Sequence, residues 1–361
     1  LKLVEGGLKV AKVMMKGNEA LAEAAVRAGC RLYCGYPITP QTEIMEYLSA
    51  RLPEVGGHFI QSESEVAGIS MILGGACTGY RVMTGSSGTG FSLKQEGISW
   101  MAADELPGVI VNVCRYGSGL GLISPGQDAY IQATKGGGHG SYHAIVYGPS
   151  TIQEMVDLTG LAFDKADEYR NPVIMLSDGA LGQMMEPVEF PDFQEVHPNK
   201  DWTITGKGKG RGHKITTAIY TDPKYDQHVR EKYAKIAAEE QRWESLCTED
   251  AEIVLVAYGT SGRVCRQAVQ MARKKGMKLG LIRPVTLWPF PVKAFEQPVH
   301  TAKAFVTVEM SALGQMVEDV RLTVNGRKPV FLYSSGMAPP REAVILQMAE
   351  DILDGRMKEV L

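Results

Sequence analysis

Three short segments carry residue types able to do chemistry. Tyr36-Pro37-Ile38-Thr39-Pro40 presents one aliphatic hydroxyl, Thr39, on a turn whose two prolines forbid an ordinary helix. It reads either as a plain tight turn or as a rigid ligand contact. Gln61-Ser62-Glu63-Ser64-Glu65 opens a predicted helix over Glu63–Cys77 with two carboxylates. Acids suit a helix N-terminus through its dipole, with Ser62 as a candidate cap. The rest of that helix is apolar and small (Ala67, Gly68, Gly74, Gly75, Ala76), which suits a buried or interface helix. The two glutamates face different ways, so at most one is expected to be buried, and a buried glutamate is paired or functional. Arg115 ends a strand that is apolar apart from Asn112. It serves a salt bridge or clamps a carboxylate through two parallel hydrogen bonds.

These groups need a scaffold that brings them together. Predicted strands at Val10–Met15, Arg31–Gly35, His58–Gln61, Arg81–Thr84, Val109–Cys114, Ala144–Gly148 and Pro172–Ser177 are interleaved with helices. The helices are Glu19–Ala28 (capped by Asn18), Thr42–Leu52 (stopped by Pro53), Glu63–Cys77, Ser92–Ala103 and Ile152–Glu168. This alternation predicts a doubly wound parallel α/β sheet, in which ligands gather beyond the carboxyl ends of the strands. The Tyr36–Pro40 turn, the Gly85–Gly90 loop and Arg115 all follow such ends. The pattern lapses from Phe190 to about Asp250, where the basic loop Lys207–Lys214 precedes a charged helix over Asp226–Leu246. A second α/β unit follows, with strands at Ile253–Tyr258, Lys278–Ile282, Ala304–Glu309 and Val330–Tyr333. Its turn, Gly259-Thr260-Ser261-Gly262, could hold a phosphate at a helix N-terminus, although it lacks a full dinucleotide fingerprint. The expected division is residues 1–195, a connector over 196–250, and 251–361.

With 361 residues, 44% hydrophobic content and a net charge of −3, the composition gives no support to nucleic-acid binding. No apolar run approaches a membrane span, and the first residues lack a leader's apolar core, so a cytoplasmic location is expected. The six cysteines (30, 34, 77, 114, 247, 265) form no CxxC pair and read as reduced thiols. His139 and His143 have no catalytic partner identifiable from spacing, and no metal-ligand spacing occurs.

Taken jointly, Tyr36–Pro40, Gln61-Ser62-Glu63, Glu105-Leu-Pro-Gly-Val109 with Arg115, Gln127-Asp-Ala-Tyr130, Ser177-Asp-Gly179 and Ile282–Pro291 resemble the alpha subunit of the 2-oxoacid:ferredoxin oxidoreductases. The likeness runs from about Val10 to Leu353. Met15–Ala20, Lys94-Gln-Glu-Gly97 and Lys135–Gly140 are most similar to the branched-chain type, acting on 3-methyl-2-oxobutanoate. The resemblance implies a pyrimidine-binding domain of a thiamine-diphosphate enzyme followed by a transketolase C-terminal-like domain. It implies that Glu63 bonds N1′ of the cofactor, that Tyr36, Pro37 and Ile38 line the cofactor, and that Thr39 and Arg115 hold the substrate carboxylate. It further implies a beta subunit holding the diphosphate and Mg²⁺, gamma and possibly delta subunits carrying [4Fe–4S] clusters, ferredoxin as acceptor and coenzyme A as cosubstrate. A 2-oxoglutarate-specific subunit and a non-oxidative thiamine-diphosphate enzyme are the competing readings.

Overall fold

The computed structural model describes residues 12–195, 200–204, 206, 215, 223–357 and 359. The basic loop Lys207–Lys214 lies outside them.

The chain begins with β1 (Val13–Lys16), α1 (Gly17–Arg27), β2 (Cys30–Gly35), α2 (Thr42–Glu54), β3 (His58–Gln61), α3 (Glu65–Ala76) and β4 (Arg81–Ser86). It continues with α4 (Gly88–Leu93), α5 (Gln95–Ala103), β5 (Gly108–Tyr116), β6 (Leu122–Pro125), α6 (Tyr130–Thr134), β7 (Ile145–Tyr147), α7 (Ile152–Tyr169), β8 (Pro172–Asp178), α8 (Gly179–Gln183) and β9 (Met185–Val188). Parallel pairing of β3, β2, β4, β5, β8 and β7 forms the main sheet. Strands β4 and β8 are buried along their whole length, as β-branched and aliphatic runs covered on both faces must be. One core lies against α3 and α5, the other against α1, α2 and α7.

Three local details depart from the sequence expectation, and each bears on the site. Asn18 does not cap α1: Lys16 occupies that position, and the Asn18 amide instead donates to Pro40 O (2.8 Å) and to Glu43 Oε2 (2.9 Å). Its side chain therefore anchors the proline turn. Ser64, not Ser62, caps α3 by accepting from Ala67 N (3.2 Å). Glu63 is thereby left outside the helix. The expected single helix over Ser92–Ala103 is two, α4 and α5, which meet at Lys94.

The connector helix α9 (Pro223–Glu239) leads to β10 (Trp243–Leu246), β11 (Ile253–Val256), α10 (Gly259–Lys274), β12 (Leu279–Pro284) and β13 (Thr286–Trp288). Then come α11 (Pro298–Thr301), β14 (Ala304–Glu309), α12 (Met316–Val324), β15 (Val330–Ser334) and α13 (Glu342–Leu353). The second sheet runs β10-β12-β11-β14-β15, antiparallel only at β10. The two units exchange a strand: β13 leaves the second and pairs antiparallel with β7 of the first. His143 stacks on Trp288 beside that strand (4.3 Å between ring centres, 10° apart) and its Nδ1 faces Thr134 O (3.4 Å). Its place is in packing between units, and burial pulls its imidazole below the ordinary range.

The Gly259-Thr260-Ser261-Gly262 turn does open a helix, but the chain's own Asp178 occupies that N-terminus. The Asp178 carboxylate accepts from Thr260 N (3.1 Å) and Oγ1 (2.8 Å), and also from Ala180 N (3.0 Å) and Leu181 N (3.2 Å). One buried carboxylate thus satisfies the first turns of α8 and α10 together, at the turn that by sequence could have held a phosphate. Gln127 makes a parallel joint, donating to Tyr258 O (2.9 Å) and accepting from Ser261 Oγ (2.8 Å) and Met310 N (2.8 Å). Asp178→Ala strands four donors at this joint and is expected to cost about 2–4 kcal/mol, read as a lower denaturation midpoint.

Candidate active site

The site forms where β2, β4 and β5 end. Each strand's carboxyl end releases one of the segments singled out in the sequence, and their parallel order (β2-β4-β5) makes the segments neighbours. The Tyr36–Pro40 turn is held from several sides. Besides Asn18, the buried Gln41 donates to Tyr36 O (3.3 Å) and accepts from Tyr33 Oη (3.3 Å). Arg115 Nη1 donates to Thr39 O (3.2 Å). Thr39, Tyr36 and Pro37 are exposed and Ile38 is half-buried, so the turn faces outward over the strand ends.

Arg115 is half-buried, and its bond to Thr39 O uses only one corner of the guanidinium. Its Nε and Nη2 are buried and unpartnered, as are the hydroxyls of Ser86 and Ser87 on the adjoining loop. Unpaired buried donors are costly, and two adjacent guanidinium donors are the arrangement that pairs with a carboxylate; Arg115 also lines a small cavity. That cavity measures about 140 Å³ and is lined by Gly88, Ser92, Arg115, Ser118, Asp128 and Gln132 among others. Arg115 is its one cation among the described lining residues, and Asp128 adds negative charge beside Gly117 N, from which it accepts (2.8 Å).

The buried carboxylate of the second segment is Glu65. It is 6% exposed as the first residue of α3, whereas Glu63 is exposed in the turn before Ser64. Only one of the pair is buried, as their spacing requires, but it is not the one that the family resemblance pointed to. The physical reason is the cap: Ser64 starts the helix two residues later, with Glu65 buried as its first residue and Glu63 exposed before it. Two glycines hold the arrangement. A side chain at Gly90 would collide with the Glu65 carboxylate and the Ser86 hydroxyl. Gly88 has φ +48°, and a Cβ there would stand 2.6 Å from Arg115 Nε. The first turn of α4 therefore seats both charged groups.

Asn18 carries no sequence signal as a support of the turn, because its partners Pro40 and Glu43 lie on another segment, and Gln41, whose partners Tyr33 and Tyr36 are close by in sequence, has a residue type that does not announce the role. His139 meets Ser99 (Oγ to Nδ1, 3.3 Å) on the far side of α5 and takes no part in this cavity. The six cysteines are free. Among the described residues no helix is long and apolar enough to cross a membrane.

Residues 23–246 match the family described as pyruvate flavodoxin/ferredoxin oxidoreductase, thiamine diphosphate-binding, and residues 251–339 match pyruvate:ferredoxin oxidoreductase core domain II. The ketoisovalerate oxidoreductase subunit VorB of Methanothermobacter thermautotrophicus is 49% identical over 87% of this chain and 90% of its own length. The chain is a 2-oxoacid:ferredoxin oxidoreductase subunit. A second relative within this family, 2-oxoglutarate synthase subunit KorA of Methanocaldococcus jannaschii, is 36% identical over 88% of this chain and 93% of its own length. The fold is shared with 2-oxoglutarate:ferredoxin oxidoreductase from Magnetococcus marinus, solved with 2-oxoglutarate, coenzyme A and succinyl-CoA bound. The TM-score is 0.84 at 24% identity, over 97% of this chain and 67% of that one. As an oxidoreductase subunit carrying the family's thiamine-diphosphate-binding domain, the chain works within a multi-subunit enzyme, and the branched-chain relatives match it better than the 2-oxoglutarate ones.

Proposed function

We propose that this chain supplies the aminopyrimidine side of a thiamine-diphosphate site and the carboxylate clamp for a branched-chain 2-oxo acid such as 3-methyl-2-oxobutanoate, which the assembled enzyme oxidatively decarboxylates to an acyl-CoA. The observation that carries this reading is the shared first turn of α4: Glu65 against Gly90, Arg115 against Gly88, with unpartnered donors beside them. These residues fit the cofactor and the substrate. When bound, thiamine diphosphate supplies the electron sink for loss of carbon dioxide.

Glu65, rather than Glu63, would hold N1′ of the aminopyrimidine. No hydrogen-bond donor of this chain engages its carboxyl group among the described residues, which would leave that group available to the nitrogen. Arg115 would grip the substrate carboxylate through Nε and Nη2, with Thr39 beside it. Tyr36, Pro37 and Ile38 would border the cofactor. A 2-oxoglutarate substrate needs a second cation for its second carboxylate. The cavity offers Asp128 instead, which favours a monocarboxylate.

The diphosphate, its Mg²⁺ and the [4Fe–4S] clusters belong in this reading to beta, gamma and delta-like subunits, with ferredoxin as acceptor and coenzyme A as cosubstrate. A face for the beta subunit is at hand: Ile60, Val66, Met71, Leu93 and Trp100 are exposed apolar residues on β3, α3, α4 and α5 around Glu65. A cytoplasmic location accords with six free thiols. The test is co-expression of the chain with its partner subunits, followed by a 2-oxo acid panel assayed with ferredoxin or a viologen. Branched-chain acids should be turned over well ahead of 2-oxoglutarate, and only by the assembled complex. Equal or better turnover of 2-oxoglutarate would overturn the substrate assignment, and turnover by this chain unaided would overturn the shared site.

A further inference from the structure

Lys94 links α4 to α5, and its side chain is fully buried. Its Nζ donates to Thr84 Oγ1 (3.0 Å) and reaches the backbone oxygen of Glu65 (3.4 Å). Thr84 in turn donates to Cys34 O (2.6 Å), so β2, β4 and the start of α3 meet at this ammonium. Gly68 keeps the space clear, since a Cβ there would stand 3.2 Å from Nζ and 3.0 Å from Ser62 Oγ. Among the described residues no carboxylate forms an ion pair with Nζ. A buried charge without a partner is expensive to keep unless it serves something.

The titratable groups that face Lys94 are Glu65 at the start of α3 and the Cys34 thiol on β2. Burial pushes that thiol up to about 11, so it stays neutral at physiological pH. Burial also pulls the Lys94 ammonium down to about 8, with the Glu65 charge opposing the fall. At neutral pH the ammonium is mostly charged, and Glu65 is the acidic residue that faces it.

We propose that Lys94 is a positioning residue for Glu65: its buried ammonium fixes the first turn of α3 through the Glu65 carbonyl and sets the charge state of the Glu65 carboxylate. The inference rests on the reading that Glu65 faces the cofactor. It gives a purpose both to the break between α4 and α5 and to the lysine in the Lys94-Gln95-Glu96-Gly97 segment.

The experiment uses the co-expressed complex carrying Lys94→Met, which keeps the stem and removes the charge, with Lys94→Gln as a second variant if Met prevents assembly. Turnover and thiamine-diphosphate affinity, the latter by calorimetry, are followed against pH, alone and combined with Glu65→Gln. Loss of the neighbouring cation disfavours the carboxylate form, so the acid limb of both profiles should move up by about one pH unit, the lower end of what a single opposite charge at close range produces. On the Glu65→Gln background the affinity profile should not move. A purely structural lysine would instead lower rate and affinity by one factor at every pH, or shift the profile equally without Glu65. Either result overturns the proposal. If Glu65→Gln leaves turnover intact, the reading beneath it fails as well. If Glu65→Gln is inactive and the Lys94→Met profile is unshifted, this inference alone fails.

Discussion

Glu65→Gln should cut kcat of the assembled enzyme by about 10³-fold, within the usual range for losing a positioned acid–base group. Glu63→Gln should change it by less than about threefold, as exposed surface substitutions generally do. The contrast is sharp because the two residues differ by one position on either side of Ser64, which accepts from Ala67 N and starts α3. The helix start places Glu65 against Gly90 of α4 and leaves Glu63 in solvent. Glutamine keeps the shape and the hydrogen-bonding length of the side chain, so packing against Gly90 and Ser86 should survive. What it loses is the capacity to hold and release a proton. Comparable melting temperatures with a collapsed kcat would identify chemistry rather than folding as the cause. If Glu63→Gln proves the damaging change and Glu65→Gln the mild one, the beta subunit must reshape this helix start on docking, and the assignment to Glu65 is wrong.

The same pair shows where the sequence stops being legible. Carboxylates at a helix start, a small-residue helix behind them and a strand-end arginine are all readable from residue type and period. The choice between Glu63 and Glu65 is not, because Ser62 and Ser64 are equally good caps by type and the structure uses only Ser64. The parallel order of strands follows from their alternation with helices, and it brings Thr39 and Arg115 to one rim as expected. The exchange of β13 into the first sheet had no local signature: Thr286–Trp288 is three residues inside a proline-rich run. Asp178 is similar. Its type fits a cap for α8 next to it, but nothing nearby in sequence announces that it also caps α10, 82 residues away. Residues whose partners are distant (Asn18, Gln127, Asp178) read as local features, or not at all, for this one reason. Several segments that carry the family resemblance are such joints: Gln127 and Asp178 fasten the second unit to the first, and Arg283 does so by bonding Glu154 (2.5 Å) and Ser150 Oγ (3.1 Å).

Arg115→Met should lower kcat/KM for the 2-oxo acid by about 10²–10³-fold, the loss of roughly 3–4 kcal/mol expected when a charge-assisted, two-point contact to a carboxylate is removed. Most of the effect should fall on KM, with thiamine-diphosphate affinity little changed, because Arg115 lines the small cavity beside Gly88 and Ser118 and Glu65 is seated two residues further along α4. Arg115→Lys should recover little. An ammonium is a single point of charge and cannot span the two positions that Nε and Nη2 now present. A stability measurement separates this from a structural role. In the free chain Nε and Nη2 are buried without partners, so Arg115 is held at a cost, and its replacement by an apolar side chain of similar length should leave the melting temperature unchanged or raise it. The one bond that would be lost is the donation to Thr39 O, and Asn18 and Gln41 still hold that turn. An arginine kept for structure predicts the opposite pattern: a lower melting temperature, and an activity loss that follows the unfolded fraction. The anion clamp predicts a protein that is at least as stable and nearly blind to its substrate, with KM for branched-chain acids raised in parallel across the series because the apolar part of each substrate is not what Arg115 reads.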